Sequence, residues 1–145
     1  MRRPVIAVIG AGDASPEQMK TAEEAGRLVA AAGAVLVTGG LGGVMEAASR
    51  GASRAGGLVV GIVPGHEANE YVDVAVKTGL GDARNAVLAN TADAFVAVGG
   101  SHGTLSEIAF ALKRGKPVIG LGTWDIPGVQ AAPDPATAVR AALGG

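Results

Sequence analysis

Five short, unbroken apolar runs punctuate the chain: Val5-Ile-Ala-Val-Ile9, Ala34-Val-Leu-Val37, Leu58-Val-Val-Gly-Ile-Val63, Ala94-Phe-Val-Ala-Val98 and Pro117-Val-Ile-Gly-Leu121. None alternates with polar residues, as a half-exposed strand would. Runs of this kind suit strands buried on both faces of a parallel sheet. Helix-length segments separate them. The β-α-β-α rhythm predicts a doubly wound α/β fold, with one mainly parallel sheet and helices on both faces.

Local signals place the helices. Ser15-Pro16-Glu17-Gln18 supplies an N-cap, a proline at N1 and a glutamine at N3, so a first helix runs to about Ala32 and stops at Gly33. A second follows Gly42-Gly43, with Val44, Ala47, Ala48 and Gly51 on a narrow face. A third spans about Ala83 to Thr91, with Asp82 as its N-cap. A fourth begins near Thr104, with Leu105, Ile108, Ala109 and Leu112 as its apolar stripe, and ends at Lys113-Arg114 before Gly115. Asp134-Pro135 opens a last helix to Leu143. Two stretches read less clearly. Tyr71 to Val76 alternates weakly, like a short strand, and Gly122 to Pro133 reads as an ordered loop near a sheet edge.

Composition narrows the function. The 145 residues suit a single domain, 1–145, and with 48% hydrophobic and 17% charged residues they can build a sizeable core. A formal charge of -1 argues against a nucleic-acid binder, which needs a basic face. The sequence contains no cysteine, which excludes disulfides, thiolate metal sites and thiol nucleophiles. His66 and His102 are far apart, so no local zinc pair exists and no metal is expected. No run approaches the roughly 20 apolar residues of a membrane span. Arg2-Arg3 and the short run after them do not make a signal peptide. The expected location is the cytoplasm.

Candidate chemistry gathers where strands end. Gly10-Ala-Gly12-Asp13, Gly39-Gly40-Leu41-Gly42-Gly43 and Gly99-Gly100-Ser101-His102-Gly103-Thr104 each follow an apolar run and lead into a helix. Glycine lets backbone N–H groups approach an anion, and the helix N-terminus adds partial positive charge. In a parallel sheet these turns share the carboxyl edge, where ligands bind. Three together point to a phosphate-bearing ligand. The dinucleotide fingerprint is absent, because Asp-Ala-Ser follows Gly12, and Gly39 to Gly43 lacks the Lys-Ser/Thr of a Walker A loop.

The polar candidates each carry two readings. Glu107 is either a site acid or, with Thr104, half of a capping box; spacing alone favours the cap. Glu46 complements a helix dipole or serves as a second acid. Arg84 clamps a phosphate or carboxylate, or is a solvated surface arginine. Asn85 caps a helix or contacts ligand, and Asp13 meets a ribose hydroxyl or caps the first helix. His102 reads more as a loop side chain than as an acid or base. Tyr71 and Trp124 are open between stacking on a ligand ring and packing in a core or interface.

Three segments together resemble the Lonely Guy (LOG)-like proteins, formerly labelled "possible lysine decarboxylase": Gly39 to Ala52, Thr78-Gly-Leu-Gly-Asp-Ala-Arg84-Asn85, and Ala92 to Glu107. The resemblance implies a Rossmann-like domain that binds nucleotides or their derivatives and assembles as a homodimer or homotetramer. The best-known enzymes of that group hydrolyse the N-glycosidic bond of nucleoside 5′-monophosphates, giving base and ribose 5-phosphate. Their Pro-Gly-Gly-x-Gly-Thr-x-x-Glu motif, preceded by Arg-Lys, implies phosphate binding by Gly99, Gly100, Gly103 and Thr104, with Glu107 and Arg84 as the catalytic pair. Val98 stands in place of the motif proline, Ser101-His102 adds a residue to the loop, and Asn85 replaces the lysine. These departures resemble a neighbouring branch that includes the molybdenum cofactor carrier proteins, which bind a pterin phosphate. The implied ligand is therefore a nucleotide or a molybdopterin-type molecule, with no required cofactor. Pyridoxal-dependent decarboxylation would need a Schiff-base lysine, and no cofactor motif supports Lys20, Lys77, Lys113 or Lys116 in that role.

Overall fold

The computed structural model describes residues 2–145. Its strands are β1 (Val5–Gly10), β2 (Val35–Thr38), β3 (Val59–Val63), β4 (Val74–Lys77), β5 (Ala94–Val98), β6 (Val118–Leu121) and β7 (Val129–Ala131). They form one sheet in the order β4-β3-β2-β1-β5-β6-β7, and every adjacent pair is parallel. The helices are α1 (Pro16–Ala31), α2 (Val44–Arg54), α3 (Arg84–Thr91), α4 (His102–Lys113) and α5 (Pro135–Ala142). Cores lie on both sides of the sheet. Buried residues of α1, α2 and α5 pack with one set of strand side chains, including Ile6, Val8 and Val96. Those of α3 and α4 pack with the alternate set, including Ala7, Ile9 and Phe95. This is the doubly wound, Rossmann-like arrangement that the unbroken apolar runs predict. The direction of winding reverses at β1, so a crevice opens between the ends of β1 and β5.

The two ambiguous stretches contain the edge strands. β4 pairs with β3 alone, and Val74 remains 50% exposed. Asp73 anchors its start: the Val59 N–H donates to Oδ2 at 2.8 Å and the Asp73 N–H to the Val59 carbonyl at 2.9 Å. β7 lies inside the expected Gly122–Pro133 loop and pairs with β6. Both lack the apolar run that marks a strand covered on two faces.

Three helix expectations need correction. Asp82 is not the N-cap of α3: a 3-10 turn, Gly81–Ala83, already carries helical geometry, and Ala83 takes the cap position without a side-chain bond. α4 starts at His102, two residues early, with Ser101 as N-cap. Its buried residues are Thr104, Glu107, Ile108 and Ala111, so the stripe keeps its spacing but shifts back by one residue. Ala109 faces solvent. The inner face of α4 includes two polar side chains because its first turns look onto the sheet's carboxyl edge. α1 follows its sequence signals: Gln18 N–H donates to Ser15 Oγ at 3.1 Å, and Ser15 N–H donates to Gln18 Oε1 at 3.0 Å.

α1 and α2 cross very closely. A Cβ at Gly26 would lie 2.0 Å from the Ala48 carbonyl oxygen, and one at Gly51 would lie 2.0 Å from that of Glu23. These are backbone contacts that no rotamer change relieves. Gly26→Ala is expected to lower stability by about 2–3 kcal/mol through overpacking, read as a shifted urea midpoint. An unchanged midpoint would show that the helices separate freely.

Candidate functional site

All strands run the same way, so the turns after β1, β2, β5 and β6 open on one edge. The first two turns pack on each other. Val44 N–H donates to the Ala11 carbonyl at 3.1 Å, and a Cβ at Gly43 would lie 2.3 Å from that oxygen. A Cβ at Gly10 would meet the Val44 side chain at 2.7 Å, and one at Gly40 would meet Val63 at 2.4 Å. Gly40 N–H donates to Thr38 Oγ1, while Asn69 donates to the carbonyls of Gly40 and Leu41. Packing thus accounts for Gly10, Gly40 and Gly43. It does not account for Gly12, Gly42 or Gly103, where a Cβ would meet nothing nearer than 3.8 Å.

The turn after β5 holds two successive left-handed glycines; such glycines also stand at Gly40 and Gly43 in the β2 turn and at Gly122 in the β6 turn. Gly99 has φ +55° and Gly100 φ +134°, values that side chains disfavour. Ser101 N–H donates to Thr104 Oγ1 at 3.3 Å, which places Thr104 inside the helix rather than at its cap. The loop after β6 is stapled to this turn. Thr123 Oγ1 donates to the Gly99 carbonyl, and Trp124 Nε1 donates to that of Ser101 at 3.1 Å. Gln18, Gly99, Gly100, Gly122, Thr123 and Trp124 line a pocket of about 330 Å³ at the reversal point. Trp124 therefore reaches this pocket, with the exposed His102 ring 5.9 Å from it. Tyr71 lies elsewhere, beside Arg50.

A buried polar cluster lies behind the turns. Arg84, the first residue of α3, is only 9% exposed and so is no surface arginine. Its Nε donates to the Ile62 carbonyl at 2.9 Å, Nη2 to that of Gly39 at 3.4 Å, and Nη1 to Asn85 Oδ1. Asn85 Nδ2 donates to Ser106 Oγ at 2.9 Å, and Ser106 to the Gly103 carbonyl. Asn85 is thus a bridge from α3 to α4, not a helix cap. Glu107 is 6% exposed in the second turn of α4, which overturns the capping-box reading. Burial pushes its carboxyl up to about 7, and the positive charge of Arg84 opposes this only in part.

Other candidates stand apart from this cluster. Asp13 is exposed and does not cap α1, because Ser15 does. Glu46 is half-buried in the first turn of α2, where it suits the helix dipole. Lys116 caps α3, donating to the carbonyls of Ala89 and Asn90. Gln18 and Thr123 were not singled out as site residues from sequence; the sequence signal for Thr123 is its place just after an apolar run. A larger groove of about 770 Å³ runs between α1 and α2, over Met19, Arg27 and Arg54, away from the strand ends. Among the described residues no cluster of three or more acidic or histidine side chains is placed to hold a metal. No described helix is long and apolar enough to cross a membrane.

Comparison with known proteins agrees with this architecture. A curated protein of Archaeoglobus fulgidus, described as uncharacterized, is 47% identical over 123 residues, covering 83% of this chain and 82% of the relative. The molybdenum cofactor binding protein from Rippkaea orientalis superposes with TM-score 0.93 at 41% identity, over 99% of this chain and 98% of that one. The molybdenum cofactor carrier protein of Chlamydomonas reinhardtii gives TM-score 0.91 at 39% identity, again over 99% and 98%. With residues 3–141 matched by its family model, the chain belongs to the SLOG cluster4 family.

Proposed function

We propose that this protein binds a phosphorylated, nucleotide-like cofactor of the molybdopterin type at the β1–β5 crevice and carries it without turnover. The observation that supports this most is likeness over almost the whole chain, at about 40% identity, to proteins named for binding or carrying the molybdenum cofactor. The crevice suits such a ligand. The Gly99 N–H is taken by the Leu121 carbonyl at 3.1 Å and that of Ser101 by Thr104, so the backbone donors proposed for a phosphate are the Gly100 N–H and the first N–H groups of α4. Gly103, with no packing reason to be glycine, leaves the approach open. Gly39, Gly42 and Thr104 border the same edge, with Gly12, Asp13 and Glu46 at its rim. The indole of Trp124 gives a flat wall for a heterocycle. Without cysteine the protein supplies no thiolate to a metal. Assembly as a homodimer or homotetramer in the cytoplasm completes the proposal, and light scattering checks the former.

One observation favours a second reading, hydrolysis of nucleoside 5′-monophosphates. A buried carboxyl near pH 7 beside an arginine is placed between acid and base roles. In that reaction the N-glycosidic bond breaks, water gives its hydroxyl to the anomeric carbon, and the proton ends on the departing base. The protonated form of Glu107 would supply a proton to the base, and the ionised form would steady the oxocarbenium-like sugar.

One experiment separates the readings, and two more outcomes are expected under either. Native mass spectrometry of protein purified from its own host is expected to show a retained pterin phosphate. Ligand-free protein that releases ribose 5-phosphate from AMP, and loses this activity in Glu107→Gln, would overturn the carrier. Gly103→Val is expected to abolish binding of the phosphorylated ligand while moving Tm little, because the backbone there is helical and a Cβ meets no close neighbour. A folded variant that binds normally would place the phosphate elsewhere. The third outcome concerns pH. The folded Glu107 keeps its proton to about 7, whereas the unfolded chain loses it near 4.5. The unfolded state therefore binds fewer protons in this window, and stability falls as pH rises through it. Glu107→Gln is expected to match the parent at pH 4 and exceed it at pH 8 by on the order of 3 kcal/mol, measured by denaturant titration at the two pH values.

A further inference from the structure

α1 begins beside the crevice, and its capping box has an effect on the pocket as well as on the helix. Gln18 Oε1 accepts the Ser15 N–H at 3.0 Å. An N–H needs an oxygen opposite it, so this bond fixes which end of the amide is which. The Nε2 group must then point the other way. It lies over the Gly99 α-carbon, where a Cβ on residue 99 would come within 2.3 Å of it. Among the described residues neither hydrogen of Nε2 meets a protein acceptor, and no polar side-chain atom there is both fully buried and unpaired. Gln18 lines the pocket with Gly99, Gly100 and Trp124. Register explains the meeting: Gly10 pairs with Val98, so the segments leaving β1 and β5 start side by side.

We infer that Gln18 is a ligand-binding residue whose amide NH2 donates to an anionic oxygen, such as that of a phosphate, seated over the Gly99–Gly100 turn. The inference rests on the reading of the crevice as a phosphate site and adds to it a side-chain donor from the opposite wall. The amide is held before any ligand arrives, because the helix cap already fixes its orientation. A donor fixed in this way loses little freedom on binding. It also accounts for glycine at position 99 by two constraints, the positive φ and the amide stacked above it.

The test exploits the two ends of the amide. Gln18→Glu keeps an oxygen for the Ser15 N–H, as in a Ser-x-x-Glu capping box, but replaces the pocket-facing donor with a negative oxygen. Gln18→Met removes the donor without adding charge. Binding of AMP and inorganic pyrophosphate is measured by calorimetry for the parent, both variants and Gly103→Val, with Tm for each. Loss of a hydrogen bond to a charged group is expected to weaken binding by about ten- to a hundredfold in Gln18→Met. A larger loss is expected in Gln18→Glu, with its Tm unchanged. If both variants bind as the parent does while Gly103→Val does not, Gln18 is no ligand and the crevice reading stands. If Gln18→Glu alone loses affinity, the added charge is responsible and the donor role is overturned. A parent that binds neither probe overturns the donor role together with the phosphate site.

Discussion

Pairing of β1 with β5 is the interaction on which the rest of the molecule depends. Five residue pairs, Ile6 with Ala94 through Gly10 with Val98, join two strands distant in sequence at the centre of the sheet. β1 is the first strand of one half-sheet, β5 the first of the other, and their union sets the winding on each side. Because both strands end at the same level, Gly10 and Gly99 emerge together and the crevice forms between them. α1 and α4, which follow these two strands, cover opposite faces of the sheet. Their first turns converge at the carboxyl edge, so the proposed ligand meets two helix starts and two glycine turns at a single junction.

What the sequence conveys about this junction depends on how far each feature is a local matter. The five covered strands are legible because burial on both faces demands an unbroken apolar run. β7 is not, and β4 shows only as the weak alternation of Tyr71 to Val76, because an edge strand needs only backbone partners on one side, and Val74 and Val76 stand exposed. The capping box of α1 is legible in four consecutive residues. The start and inner face of α4 are not: apolar character alone assigns Leu105 and Ala109 inward, whereas tertiary position turns Thr104 and Glu107 to the sheet's edge. Gly10 and Gly43 look like ligand glycines and serve packing of the first two turns on each other, and Gly40 serves packing against β3, distinctions visible only when the neighbouring atoms are in place. Thr123 and Gln18 enter the pocket from loops and helices that no spacing rule connects.

Glu107 shows how the fold tolerates an acid in a nearly dry position. Full ionisation there would cost solvation that a neighbouring arginine does not restore, and the carboxyl responds by holding its proton to about pH 7. Arg84 meanwhile spends its hydrogen bonds on the carbonyls of Ile62 and Gly39 and on Asn85. The pair therefore does not form a closed salt bridge, and α3, the β2 turn and α4 are joined through uncharged partners instead. While Glu107 holds its proton, the positive charge of Arg84 behind the turns is left uncancelled, a setting that suits the proposed phosphate better than a fixed carboxylate would.

The sheet order also bears on how the chain is made. Synthesis from the N-terminus produces β1 to β4 first, and these can associate on one side of β1 through their short crossovers. The other side of β1 has no mate until the ribosome has delivered residues 94 to 98. During that interval a nascent chain carries an open parallel edge flanked by Ile6, Val8 and Ile9, the sort of surface that recruits stray strands. The arrival of β5 ends the exposure of β1 and starts the crevice, which Gly122, Thr123 and Trp124 wall off only after β6 is made. A truncated product ending before Ala94 would have neither a protected edge nor the proposed crevice site.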